Sequence, residues 1–449
     1  MTAQPFTSRK ANKPLKGHVH VPGDKSISHR SMMLGAMAIG ETVVSGLLEG
    51  EDVMNTAAAM RAMGADIKKA DDGRWHIHGV GIGGLHEPDG VLDMGNSGTS
   101  MRLLAGLVGS HPITTSFTGD QSLSKRPMGR VIKPIEMMGA QVISRDGGRL
   151  PLTIKGAEKT LSINYELPVA SAQVKSCVLL AGLNAYGRTC VIERTPTRDH
   201  TENMLKAFGV EVHIEDLPEG GQAISVDGHQ SLTPCEINVP ADPSSAAFPV
   251  VAALINEGSE ITLPNIGMND RRDGIYTTLI EMGADITMDN ERIQAGERVV
   301  DLTVRGTGSL KGINVPSERV PSMIDEFPIL AVAASCANGT TTMTGLEELR
   351  VKESDRLQVM AEGLEACGVK LEMGEDSLTI HGTGKPPTGH ATIKTHHDHR
   401  IAMSFLCLGT VTDQSISIND GTAIATSFPT FVELMNGLGA RVEFDRVNY

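Results

Sequence analysis

One element recurs six times along this chain. It reads AMGADI around Gly64, MMGAQVI around Gly139, AFGVEV around Gly209, EMGADI around Gly283, ACGVKL around Gly368 and GLGARV around Gly439. Each has the form of a helix that ends at a glycine and gives way to a strand, since glycine tolerates the left-handed conformation of a helix C-cap. The glycines lie about 70 to 85 residues apart, longer than common solenoid repeats. A second signal keeps the same phase. Helix starts fall near Ser26, Thr99, Ser171, Ser244, Ser322 and His399, about 40 to 46 residues before each glycine. That interval holds two helices and the strands between them. Two separate signals in phase six times argue against chance. They predict six copies of one α/β unit, three in each half, with the halves meeting near Val239–Asp242.

The strands that enter these units are related too. LKGHVHVPGDKS (Leu15–Ser26) is echoed by LKGINVPSERVPS (Leu310–Ser322), and LTPCEINVPADPSS and LSINYELPVASAQ follow the same plan. An alternating strand stops at a proline and a small or polar residue opens a helix.

Composition narrows the function. The net charge is −14 and aromatic residues are only 3% of the chain. Nucleic-acid surfaces rely on basic patches and stacking platforms, so neither nucleic acid nor an anionic membrane is an expected partner. No apolar run is long enough to span a bilayer, and the polar N-terminus MTAQPFTSRKANKPLKG lacks a secretory h-region. None of the six cysteines forms a CxxC pair, which fits a reducing compartment and a cytoplasmic protein. The histidines of HHDHR carry no HExxH or matching Cys/His set, so no metal is expected.

The helix starts are where chemistry concentrates. A helix N-terminus offers free N–H groups and the positive end of a dipole, and added Lys or Arg strengthens its hold on an anion. PGDKSISHR places Lys25, Ser26 and Arg30 at the first start, with Ser26 and Arg30 on one face. GNSGTSMR places a turn with Gly98 at the second. Ser171, Gln173 and Lys175 occupy the third, Asp325 and Glu326 the first turn of the fifth, and Arg400 the sixth, with Asp398 as its N-cap. SKRPMGR adds Lys125, Arg126 and Arg130; RVKESDR adds Arg350, Lys352, Glu353 and Arg356. Taken singly, Ser26, Ser171 and Asp325 read as plain N-caps, Lys125–Arg126 as a solvated turn, and Lys352–Arg356 as a surface helix. Taken together, they predict clusters of positive ends that hold small, multiply charged anions. Asp325 and Glu353 among the cations are candidates for proton transfer.

Seven motifs in order (PGDKSISHR, GNSGTSMR, SKRPMGR, SAQVKS, PSMIDEFP, LRVKESDRL and DHRIAMS) resemble the 5-enolpyruvylshikimate-3-phosphate (EPSP) synthase family, from Leu15 to Phe444. RDHTE (Arg198–Glu202) is similar to the bacterial class II subgroup. The resemblance implies an α/β (α+β) enolpyruvyl transferase fold, an inside-out α/β barrel. Its two similar domains would each contain three βαβαββ-type units. One domain would be residues 23–240 and the other 1–22 plus 241–449, with the active site in the cleft between them. The implied reaction joins phosphoenolpyruvate to the 5-hydroxyl of shikimate 3-phosphate and releases phosphate, with no cofactor or metal, in a monomer.

Carried onto matching positions, Asp325 is the base, Glu353 the proton donor at C3 and Lys352 an aid to the base. Lys25 lies between both substrates. Shikimate 3-phosphate is held by Lys25, Ser26, Arg30, Ser171, Ala172, Gln173, Arg198, Asp325 and Lys352. Phosphoenolpyruvate is held by Lys25, Gly98, Arg126, Gln173, Arg356 and Arg400. Two positions depart from the family pattern: Thr426 stands where many members carry Lys, and Leu103 where many carry Pro. Gly98 keeps the usual glycine, which implies inhibition by glyphosate. The alternatives are a UDP-N-acetylglucosamine enolpyruvyl transferase and a noncatalytic anion- or RNA-end-binding protein. The first typically carries a Lys-Asn pair and a reactive loop Cys. This chain has Lys25-Ser26, and its first cysteine is Cys177.

Overall fold

A computed structural model describes residues 3–445. All six marker glycines have positive φ, from 78° at Gly209 to 109° at Gly64 and Gly439. Each ends the second helix of a repeat. The helix pairs, in chain order, are α1 (Lys25–Met37) and α2 (Glu51–Ala62), α3 (Gly98–Gly109) and α4 (Gly129–Met137), and α5 (Ala172–Gly182) and α6 (His200–Ala207). The other half contains α7 (Pro243–Ile255) and α8 (Gly274–Glu281), the one-turn α9 (Val320–Met323) with α10 (Phe327–Cys336) and α11 (Arg356–Ala366), then α12 (His399–Leu408) and α13 (Phe431–Leu438).

The second unit shows the plan. Its sheet runs Leu92–Asp93, Thr114–Thr118, Arg149–Lys155, Gln141–Arg145; the first pair is parallel and the others antiparallel. With α3 and α4 between strands this is βαβαββ. The third unit repeats it without change. The other units differ in where strands come from. Lys16–His18 leads along the chain into α1, yet pairs with Glu260–Gly267 beside α7. Glu236–Asn238 leads into α7, yet pairs with Glu41–Ser45 beside α1. The sixth sheet takes Phe6–Arg9 as an inner strand, between Ile416–Ile418 and Arg441–Phe444.

The chain forms two compact units: Gly23–Val239 with Gln294–Glu297, and Met1–Pro22 with Pro240–Ile293 and Arg298–Tyr449. In each, the first helices of the repeats form the centre and the sheets lie outside. Every residue of α7 and α10 is buried, and α1 is buried from Ile27 to Met37. A helix apolar all round needs neighbours on every side. They find them in one another, α3 against α5 and α7, α10 and α12 pairwise.

The helix starts deviate from the expected positions by a residue or two. Asp24, Ser97 and Asp242 are the caps at the first, second and fourth starts, through bonds to Ile27 N, Ser100 N and Ser244 N, whereas Ser171 caps the third and Asp398 the sixth. Ser26 is therefore not an N-cap. The fifth start is a correction of kind. Asp325 and Glu326 lie not in the first turn of a helix that begins near Ser322 but in the turn between α9 and α10. Pro328 has no N–H and its ring would clash with the carbonyl four residues back, so the helix restarts there.

Candidate active site

The residues singled out by sequence fall into two sets, one on each unit. On the 23–239 unit, α1, α3 and α5 bring their N-termini together through side chains. Lys25 opens α1 and forms an ion pair with Asp52 of α2. Ser26 is half-buried, and its backbone oxygen accepts from Arg30 Nη1 at 3.0 Å. Arg30 is also fixed by Thr201 Oγ1 on Nε (2.8 Å) and Ser176 Oγ on Nη2 (2.7 Å). Burial pushes its guanidinium down to about 10, opposed by Glu202 and Asp24.

Gln173 joins α3 to α5. It accepts from Arg102 Nη1 at 2.7 Å and donates to Thr99 Oγ1 at 3.0 Å. Ser171 and Ala172 are half-buried at the start of α5. Of the three cations in SKRPMGR, only Arg126 turns inward; Lys125 and Arg130 are exposed. Arg126 Nη2 donates to Asn96 Oδ1 (2.7 Å) and Ser122 Oγ (3.1 Å). Gly98 stands beside it: a Cβ there would lie 3.1 Å from Arg126 Nη1 and 2.9 Å from Arg102 Nη1. Leu103 is wholly buried in α3. Arg198 is half-buried just before α6. Lys175 shares the third helix start in sequence but points into the core, its Nζ 3.0 Å from Glu193 and 2.7 Å from Glu202. Burial raises the Glu202 carboxyl against the pull of Lys175.

On the other unit, Arg356 is the hub. It is 1% exposed, and its guanidinium meets three carboxylates: Asp398 (2.8 Å from Nε), Glu353 (2.5 Å from Nη2) and Asp325 (3.3 Å from Nη1). Burial works against its charge, but the three carboxylates outweigh it and the proton is held more tightly than in free arginine. Lys352 Nζ lies 3.7 Å from Asp325, and Arg400 Nη1 donates to the Asp325 backbone oxygen (3.0 Å) and to Glu326 Oε1 (3.3 Å). Lys352 and Glu353 lie in the turn before α11, not on a surface helix, while Leu357, Met360, Ala361 and Leu364 form the buried face of α11. Thr426 is buried in the turn Thr422–Thr426 packed on α12, and its hydroxyl donates to Ala423 O.

Three residues in these sets carried no strong sequence signal, and a fourth, Asp398, does more than the N-cap role expected of it. Asp52 and Arg102 are partners of expected residues. Asp398 both caps α12 and holds Arg356. Arg272, 4% exposed, bonds Asp242 and Ser244 at the start of α7. Arg102 was within reach, since it lies four residues after Gly98 on the same helix face. Chemically, each set combines cations with helix N-termini, and one adds Asp325 and Glu353. Together they provide anion binding plus groups able to accept and donate protons. Among the described residues, no cluster of three or more His, Cys, Asp or Glu has the arrangement of a metal site.

Comparison with known proteins is consistent from end to end. Residues 9–435 match the family model for EPSP synthase (3-phosphoshikimate 1-carboxyvinyltransferase). The 3-phosphoshikimate 1-carboxyvinyltransferase of Paramagnetospirillum magneticum is 62% identical over 443 residues, 99% of each chain. That of Cereibacter sphaeroides is 58% identical over 438 residues, 98% of each. Among solved structures, EPSP synthase from Acinetobacter baumannii matches with a TM-score of 0.87 and 49% identity, over 99% of this chain and all of that one. The enolpyruvyl transferase NikO from Streptomyces tendae matches over the full length of both with a TM-score of 0.78 but 17% identity, a likeness of fold alone.

Proposed function

The chain belongs to the EPSP synthase family, and on that premise we propose that it transfers the enolpyruvyl group of phosphoenolpyruvate to the 5-hydroxyl of shikimate 3-phosphate, with release of inorganic phosphate. This is a step of aromatic amino acid biosynthesis. The observation that carries the residue assignment is the Arg356 hub, where Asp325 and Glu353 share one buried guanidinium.

The hydroxyl oxygen bonds to C2 of phosphoenolpyruvate while C3 gains a proton and becomes a methyl group; the tetrahedral adduct then loses one methyl proton and, as the C2–C3 double bond re-forms, the phosphate. Asp325, with Lys352 and Arg356 beside it, is the acceptor for the hydroxyl proton. Glu353 delivers the proton to C3. It is ion-paired in the structure, so donation requires a competitor for Arg356. The carboxylate or phosphate of phosphoenolpyruvate is such a competitor. Once Arg356 turns to the substrate, Glu353 faces new negative charge without its cation, and protonation becomes favourable. Arg126, Arg400 and Lys25 complete the cation set around phosphoenolpyruvate, and the backbone at Gly98 lies against it. Ser26, Arg30, Ser171, Ala172, Gln173 and Arg198 hold shikimate 3-phosphate.

Glyphosate inhibits in this reading, because Gly98 leaves the Arg126 region open. A monomeric cytoplasmic enzyme is part of the proposal. Six cysteines without a CxxC pair support a reducing compartment. No helix among the described residues is long and apolar enough to cross a membrane. The test is phosphate release from phosphoenolpyruvate with shikimate 3-phosphate, run beside UDP-N-acetylglucosamine. Release with the first acceptor alone supports the assignment. Release with the sugar nucleotide alone overturns the acceptor, and release with neither overturns the activity.

A further inference from the structure

Arg30 is held in place by α6 as much as by its own helix. Thr201 Oγ1 accepts from Arg30 Nε at 2.8 Å and lies 2.7 Å from Ser176 Oγ, which accepts from Arg30 Nη2. Where the first turn of α6 sits therefore decides where the guanidinium points. Yet that turn has no cap of its own: Asp199 occupies the N-cap position without a side-chain cap bond.

Glu202 of that turn is paired with Lys175 of α5, and a second anchor comes from nearly 100 residues away. Glu297 is 2% exposed, and its Oε1 accepts from His200 Nδ1 at 2.8 Å and Asn203 Nδ2 at 3.3 Å; His200 is 3% exposed. Glu297 follows a two-residue turn, Ala295–Gly296, between strands Asp285–Gln294 and Glu297–Arg305. Ala295 has φ 52°, a left-handed conformation that alanine rarely adopts. It packs on the hydrophobic core of the 23–239 unit, and Gln294 Nε2 donates to Asn238 O at 3.0 Å. These four residues belong with the 23–239 unit, although the strands that carry them belong with the other. The two-residue turn itself calls for positive φ at both Ala295 and Gly296, but it needs no buried carboxylate beside it.

We propose that Glu297 is a positioning residue for the shikimate 3-phosphate half-site, acting through His200 and the first turn of α6 to orient Thr201 and so the guanidinium of Arg30. The inference rests on the reading above that Arg30 contacts that substrate. Glu297→Ala leaves the buried His200 N–H without its carboxylate, and the α6 turn loses one of its anchors. Glu297→Gln keeps an acceptor in the same place.

The test is steady-state kinetics of the full chain with each substrate varied, together with thermal melting. Glu297→Ala is expected to raise KM for shikimate 3-phosphate on the order of tenfold, the effect of one lost buried hydrogen-bond partner. KM for phosphoenolpyruvate should stay within about twofold, and Glu297→Gln should recover most of the loss. His200→Ala should show the same split, and the double variant should be no worse than either single one. His200→Ala carries the test if Glu297→Ala does not fold. An unchanged KM for shikimate 3-phosphate in either folded variant overturns the proposal, as does an equal rise for both substrates. Arg30→Lys is measured alongside. If the wild type is inactive with shikimate 3-phosphate, or Arg30→Lys leaves its KM unchanged, the earlier reading fails rather than this one.

Discussion

Gly98→Ala separates ligand binding from stability with a single methyl group. The added Cβ would stand 2.9 Å from Arg102 Nη1 and 3.1 Å from Arg126 Nη1. Comfortable contacts begin near 3.5 Å, so both tips must retreat by about half an ångström. The Arg126 Nη1 bond to Asn96 O is already 3.3 Å and would be lost, and the Arg102 bond to Gln173 would be strained. Both are ends of flexible side chains, so the fold gives way at little cost. Gly98 is the first residue of α3 and is not in the left-handed region. Alanine there gains up to about 1 kcal/mol of helix propensity, so the melting temperature should hold or rise. Losing or bending one charge-assisted contact to an anion costs about 1.5–3 kcal/mol, or roughly 10- to 100-fold in affinity. The expected outcome is a rise of that size in KM for phosphoenolpyruvate, a smaller change for shikimate 3-phosphate, and a matching loss of glyphosate inhibition. Kinetics with each substrate varied, an inhibition curve and a melt on one preparation provide the whole comparison. A KM for phosphoenolpyruvate within twofold of wild type would refute the steric argument. So would a large rise accompanied by a fall in melting temperature.

Other perturbations follow from the same geometry. Asp325→Asn should lower kcat at least a hundredfold while shikimate 3-phosphate still binds by calorimetry, as expected for loss of a general base; turnover near wild type would remove Asp325 from that role. Arg356→Met leaves the buried Asp398 and the half-buried Glu353 without their cation and should cost several kcal/mol in denaturant unfolding; an unchanged midpoint would contradict the hub. His29 is wholly buried, and burial, then Lys25 and Arg30, push it well below its usual value. The folded protein thus keeps it neutral where the unfolded chain is protonated. Stability is full above about pH 6.5 and falls with acid below it, by about 1.4 kcal/mol per pH unit for one such group. Denaturation between pH 7.5 and 5.5 should show that slope flattened in His29→Gln; parallel profiles would assign the acid sensitivity elsewhere.

The repeat was legible because its marker is a backbone requirement. Only glycine accepts the left-handed C-cap without strain, so Gly64, Gly139, Gly209, Gly283, Gly368 and Gly439 stand out in the sequence and in the dihedral angles alike. Helix starts were legible to within a residue or two, since Asp24, Ser97 and Asp242 compete with neighbouring serines for the same N–H groups. The break at Asp325 is harder to read, because it depends on Pro328 acting backwards on a helix already begun at Val320. Least legible were the partnerships. Asp325 and Glu353 from the fifth repeat and Asp398 from the sixth meet on Arg356; Glu353 is its i,i+3 neighbour, but no spacing rule links the other two to it. Glu297 lies in ERIQAGERVV, which reads as an ordinary hairpin, and nothing local indicates that its carboxylate is buried against His200.

The traded strands have a consequence for how the molecule is made. A ribosome releases Phe6–Arg9 and Lys16–His18 first, but their partners are Ile416–Ile418, Arg441–Phe444 and Glu260–Gly267. The sheet beside α1 likewise waits for Glu236–Asn238. The sheets of the 23–239 unit can close once Glu236–Asn238 has emerged, while Lys16–His18 stays unpaired until Glu260–Gly267 appears and Phe6–Arg9 until the final repeat does. Strands synthesised early are thus among the last to find their place, and a nascent chain must keep them from mispairing until their distant partners emerge.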